Sequence, residues 1–237
     1  MPHIVLLDHE LLHALRRASH RFLKVIIALP SFDPFYDFGH FMDFNNATQI
    51  HCVCINAPLN NTIILFGKGV KSLRLSGVWA TSRCFRSWEN PTPVPLYDLA
   101  PWRGITTLDM ADFDAAIMVE VAIPCVQLEH LTVRFSSNPA PMWTWTSSPL
   151  PSVHTFRILP QEDMPPDQSQ VNGIIRMFSL PALSRLTLPS LPDGPIDDAV
   201  EMINRVQSLE MISYNDTDLF AYVKLVPENV TIRVIYP

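Results

Sequence analysis

Glycine and cysteine are scarce in this chain, with seven and four copies in 237 residues. Few glycines leave few places where the backbone can turn left-handed without strain. The cysteines, Cys52, Cys54, Cys84 and Cys125, form no C-x-x-C pair. Two of them alternate along one extended run, where a disulfide fits poorly. We read all four as buried, reduced thiols of an intracellular protein, cytoplasmic or nuclear, and expect no zinc held by them. Charge is also sparse, at 17% of residues, and a basic excess is missing because the formal net charge is −6. That balance argues against a nucleic-acid partner. No apolar run approaches the roughly 20 residues of a membrane span, so no membrane partner is expected. The first residues do not resemble a signal peptide, since Asp8, Glu10, Arg16, Arg17 and Arg21 interrupt any apolar stretch.

What the chain does have is proline, 22 copies, and hydrophobic residues, 48% of the total. Such a composition fits many short elements joined by stiff turns around a continuous core.

A short pattern recurs, with two apolar residues separated by one position and polar neighbours on either side. It reads Leu73-Arg74-Leu75, Leu108-Asp109-Met110, Leu131-Thr132-Val133, Phe156-Arg157-Ile158, Leu186-Thr187-Leu188, Leu209-Glu210-Met211 and Ile232-Arg233-Val234. Weaker copies start at Leu23 and Ile50. The intervals between first apolar residues are 27, 23, 35, 23, 25, 30, 23 and 23. Six of these fall in the roughly 20–29 range of leucine-rich repeats, and the two longest coincide with proline-rich insertions. An apolar residue three positions ahead of the pair (Val70, Ile105, Leu128, Val153, Leu183, Val206) completes the unit. Period-two alternation predicts a strand with one buried face. Helices are predicted between strands, at 197–203 with acids at its start, and at 171–178 and 216–225. The expected fold is α/β: one irregular leucine-rich-repeat-like solenoid with a parallel concave sheet, spanning 1–237. Residues 1–22 would be an amphipathic N-terminal helix and 23–237 the repeats. An ordinary α/β domain with parallel strands is the alternative architecture.

The segments Leu180-Pro181-Ala182-Leu183-Ser184-Arg185-Leu186-Thr187-Leu188-Pro189 and Pro149-Leu150-Pro151-Ser152-Val153-His154-Thr155-Phe156 carry a family resemblance. They resemble the irregular leucine-rich repeats of F-box proteins in mushroom-forming fungi, over residues 45–237. The resemblance implies a protein-binding module, the substrate-recognition part of a ubiquitin ligase, with a Skp-type adaptor and a cullin as partners. The sequence departs from that pattern in two ways. Three residues after the last strand position, regular repeats place asparagine, whereas Val78, Phe113, Ser136, Gln161, Leu191 and Tyr214 stand here. The leucines of residues 6–15 lack the Leu-Pro opening of an F-box. A repeat-only scaffold without any ligase link therefore stays open.

One motif has a catalytic look. His9-Glu10-Leu11-Leu12-His13 matches H-E-x-x-H, in which two histidines one helical turn apart hold zinc and the glutamate serves as base. A zinc-dependent hydrolase is the enzyme alternative. Against it, only eight residues precede the motif, and Arg16 and Ser19 stand where the extended form has Gly and His. His20 would lie about 16 Å along the helix from His9. Leu7, Leu11, Leu15, Ala18 and Phe22 form an apolar stripe opposite His9, His13, Arg16 and His20, which reads as an amphipathic helix. We therefore expect no catalytic residues, no metal and no cofactor.

Binding residues are expected on the concave strand face, where the intervening positions point. These are Arg74, Asp109, Thr132, Arg157, Thr187, Glu210 and Arg233, flanked by His130, Arg134 and Arg185. The excess of arginine predicts a preference for an acidic protein surface. Trp143 and Trp145, set between prolines beside Met142, are a second candidate contact.

Overall fold

The computed structural model describes residues 14, 17–18, 20–29, 46–54, 69–76, 102–111, 115–135, 147–160, 168–190, 197–213 and 216–236. The architecture is mixed α/β, and its strands are parallel in every pair whose register is defined. Two compact units are distinguished, one of residues 1–108 and 112–127, the other of residues 109–111 and 128–237.

In the first unit, β1 (Lys24–Leu29), β2 (Gln49–Cys54), β3 (Ser72–Ser76) and the start of β4 (Thr107–Ala111) follow one another in sheet order. Alternation buries Leu73 and Leu108, and Ala47, Val70 and Ile105 are buried three residues ahead of their strand pairs. A 3₁₀ turn, Trp102–Gly104, precedes β4 and buries Trp102. The helix α1 (Ala115–Ala122) is apolar almost throughout. Met118, Val119, Val121 and Ala122 on it are all buried.

The second unit carries the remainder of β4, then β5 (His130–Phe135), β7 (Thr155–Pro160), β9 (Arg185–Pro189), β10 (Ser208–Ile212) and β11 (Thr231–Ile235) in that order. A separate pair joins the two-residue strands β6 (Ser148–Pro149) and β8 (Phe178–Ser179). Its core is built from rows. Leu131, Phe156, Leu186 and Leu209 are register neighbours, and Val133 faces Ile158 as Leu188 faces Met211. All of these side chains are buried, and each buried leucine-sized group stabilises the fold by roughly 1.5–3 kcal/mol. Phe178 packs edge-on against Phe156, with ring centroids 6.1 Å apart. The rows continue into β11 as Ile232 and Val234, which are only half-buried.

Three helices belong to this unit: α2 (Gln168–Met177), α3 (Asp197–Arg205) and α4 (Asp216–Val223). They overlap the predicted segments closely. In α3, Asp197 and Asp198 sit at the positive end of the helix and Arg205 at its negative end. Ala199, Met202 and Ile203 make its buried stripe, and Val206 just past its end is buried too. Arg176 of α2 pairs with Asp198 of α3 at 2.6 Å.

A backbone motif recurs at the start of the strands. One carbonyl accepts two successive amides from the next strand's lead-in. Leu23 O accepts from Thr48 and Gln49, Thr48 O from Lys71 and Ser72, and Lys71 O from Thr106 and Thr107. In the second unit the acceptors are Glu129, His154 and Ser184. The hydroxyls of Thr48, Thr106 and Ser184 donate to the same carbonyls at 3.1–3.3 Å. These bonds satisfy backbone groups where strand pairing begins.

Two sequence expectations need correction. The first strand pair starts at Val25, which is the partner of Ile50, and not at Leu23, which is 66% exposed. The interval thus shortens from 27 to 25 residues. The N-terminal helix does not reach residue 22. Ala14, Arg17 and Ala18 are helical, but His20 and Arg21 form a turn closed by the Arg21 amide on Ala18 O. Among the described residues, no helix is long and apolar enough to cross a membrane.

Candidate functional site

The buried strand positions leave their alternate neighbours on the opposite face, and in the second unit these form three rows set by the register. The first row, at the strand starts, is His130, Thr155, Arg185, Ser208 and Thr231. His130, Arg185 and Thr231 in it are exposed. The second row, between the buried pairs, is Thr132, Arg157, Thr187, Glu210 and Arg233. Beyond it Arg134 pairs with Leu159 on one side of the unit, and Pro189, Ile212 and Ile235 make the third row on the other. The face therefore grades from polar through charged to apolar along the strand direction.

Two clusters of charge occupy it, and they differ in tightness. Arg134 grips Asp109 with its Nε 2.9 and 3.2 Å from the two carboxylate oxygens and its Nη2 3.1 Å from Oδ2. Both side chains are largely covered, so this fork is a held, charge-assisted pair. The second cluster is looser. Glu210 is approached by Arg157 Nη2 at 3.4 Å on one oxygen and by Arg233 Nη1 at 3.6 Å on the other. Thr187, buried between the strands of Arg157 and Glu210, donates its hydroxyl to Glu210 Oε2 at 3.1 Å. Glu210 is 21% exposed, while Arg157 and Arg233 are 42% and 75% exposed. Two guanidinium groups thus share one carboxylate at the surface.

Of the residues expected to bind a partner, Asp109, His130, Arg134, Arg157, Arg185, Glu210 and Arg233 all fall in the second unit. Arg157, Glu210 and Arg233 come together, as do Arg134 and Asp109. His130 lies 4.0 Å from its sequence neighbour Glu129. Arg74 lies on β3 of the first unit, half-buried. Of the expected residues, Arg134 is the most tightly held, because Asp109 takes its Nε and Nη2 edge. Thr187, expected on this face as an intervening strand position, sits between Arg157 and Glu210 in the register.

Trp143, Trp145, His9, Glu10 and His13 lie outside the described residues. Among the described residues, no group of three or more histidine, cysteine or acidic side chains could hold a metal ion. Cys125 is a free, buried thiol whose Sγ donates to Val121 O at 3.3 Å. Burial pushes its pKa up to about 12, so it stays protonated and unreactive at neutral pH.

No protein-family model, curated protein or solved structure matches the chain.

Proposed function

We propose that the chain is an irregular leucine-rich-repeat-like solenoid acting as a protein-interaction module, with the face bearing Arg157, Thr187, Glu210 and Arg233 as its contact surface. The observation that carries this reading is the row of polar and charged side chains set in register on the strand face opposite the core. Parallel strands stacked at a near-constant interval hold such a row at about 4.8 Å spacing, so a partner meets a rigid pattern instead of independent loops. The recurring carbonyl with two amides supports the repeat reading, because the same backbone contact returns at six strand starts. The F-box resemblance adds the substrate-receptor role in a ubiquitin ligase, through a Skp-type adaptor and cullin.

Affinity purification of the tagged full chain from its host cells, read by quantitative mass spectrometry, tests the proposal. The wild type is expected to enrich a reproducible partner that the Arg157→Glu/Arg185→Glu variant loses. Equal enrichment by both proteins overturns the contact surface. Skp-type adaptor and cullin among the enriched proteins would support the ligase role. Their absence beside a reproducible other partner would leave a scaffold.

A further inference from the structure

From the geometry around Glu210 we infer that this residue is a built-in competitor for an acidic side chain of the partner, and that Arg157 and Arg233 form the subsite where that side chain docks. The inference rests on the contact surface proposed above and names the chemistry it recognises.

The asymmetry between the two charge clusters is what singles out this place. Arg134 and Asp109 neutralise one another through a fork, at 2.9–3.2 Å and largely out of solvent. Opening that pair would strand two covered charges, which costs more than an exposed contact returns. The Glu210 cluster has the opposite properties. Its two guanidinium groups stand at 3.4 and 3.6 Å from a single carboxylate, a longer and less directed contact than the fork. One positive charge is left over, and both arginines are well exposed. Arg185, on the same face and two residues from Thr187, adds further positive potential. Guanidinium donors are numerous and planar, so each arginine can keep Glu210 on one edge and offer another edge to an incoming carboxylate.

Thr187 makes the competitor a fixed one. Its hydroxyl holds Glu210 Oε2 from a buried position, so the carboxylate is anchored beneath the arginines and cannot swing away to make room. A partner carboxylate therefore gains the leftover positive charge but pays repulsion from Glu210. Ile212 and Ile235, half-buried in the adjoining row, supply an apolar margin to the same subsite.

This arrangement makes a prediction with an unusual sign. Removing the Glu210 charge breaks two ion pairs of the fold and yet should tighten binding of an acidic ligand. The experiment is a fluorescence-anisotropy titration of a fluorescein-labelled heptapeptide alternating glutamate and alanine, with a glutamine-for-glutamate counterpart as control. The full chain is used as wild type, Glu210→Gln, Arg233→Gln and Arg157→Gln, with circular dichroism melts alongside. Glutamine at 210 keeps an oxygen to accept the Thr187 hydroxyl. Binding of the acidic peptide in preference to its control is expected, tightened about threefold or more by Glu210→Gln and weakened by a similar factor in either arginine variant. A folded Glu210→Gln protein with unchanged or weaker binding overturns the inference, as does equal binding of the control peptide. Should Glu210→Gln fail to fold, Arg233→Gln decides alone, because Arg233 is 75% exposed on the last strand and its loss does not disturb the core. If the acidic peptide fails while the face variants still abolish capture of the cellular partner, the acidic subsite falls and the interaction module stands.

Discussion

Cys125 shows how much a single buried group can report. Its thiol sits just beyond the end of α1, with its amide on Ala122 O and its Sγ on Val121 O, so it closes the helix C-terminus. Desolvation raises its pKa from 9.0 to about 12 in the folded state. The fold thus favours the protonated form. Below the unfolded pKa both states hold the proton and the stabilisation is intact. Above pH 9.0 the unfolded chain loses its proton first, and stability falls with rising pH until the folded thiol ionises near 12. Urea melts at pH 7, 9 and 10.5 should therefore show wild type losing stability faster than Cys125→Ala in the alkaline range. The alanine variant begins lower because it leaves a void, so the two curves converge as pH rises. Parallel curves would exclude Cys125 as a source of alkaline destabilisation. The reading of Cys125 as a buried thiol was available from the sequence, because cysteine without a partner motif behaves as a small hydrophobe. The role of Thr48, Thr106 and Ser184 was not. Each donates its hydroxyl, ahead of its strand, to the carbonyl that already accepts the lead-in amides. A polar residue at that position is too common in any sequence to announce its function.

At the scale of elements, α2 offers a test of local physics within the packed second unit. Gly173 stands in the middle of the helix, exposed, with open space around the position of a Cβ. Glycine there costs roughly 0.5–1 kcal/mol relative to alanine, because it gives up more backbone freedom on folding. Gly173→Ala should raise stability by about that amount, seen as a melting midpoint higher by about 2–4 °C per kcal/mol. A lower midpoint would mean that the exposed face of α2 is covered in solution by something that needs the glycine. Helices with polar and apolar faces, α2 and α3, were legible from spacing and from the acids at 197 and 198. The helix α1 was not predicted. Its residues Ala-Ala-Ile-Met-Val-Glu-Val-Ala are apolar on nearly every side, lack an acid in the first turn and include β-branched valine and isoleucine, so no period marks it, and Asp114 just ahead of it in the sequence is the one start signal. The frame of β1 was misjudged for a related reason. In Leu23-Lys24-Val25-Ile26-Ile27 two overlapping alternations compete, and only pairing with β2 selects Val25 and Ile27 as the positions level with Ile50 and Cys52.

For the whole molecule, the formal charge of −6 and the arginines of the strand face around Glu210 pull in opposite directions. An acidic ligand approaching from a distance meets the field of the entire chain, which repels it. Only close to Arg157 and Arg233 does the sign reverse. Salt separates the two effects, because the screening length falls from about 30 Å at 0.01 M to about 10 Å at 0.1 M and about 3 Å at 1 M. Between 0.01 and 0.1 M the long-range repulsion is screened away while contacts of 3–4 Å survive. Approaching 1 M the contacts themselves weaken. The affinity of the acidic heptapeptide should consequently pass through a maximum near 0.1 M, where a uniformly basic groove would give a steady decline from the lowest salt upward. Anisotropy titrations at 0.01, 0.03, 0.1, 0.3 and 1 M sodium chloride would trace the curve. A monotonic fall would place the attraction in the field of a broad basic surface, against the local pairing drawn around Glu210. In that case the Glu210→Gln variant should also lose its advantage, since no single carboxylate would govern the site. A maximum that moves to lower salt in Glu210→Gln would instead match a local subsite, because removing one negative charge lessens the repulsion that screening has to overcome.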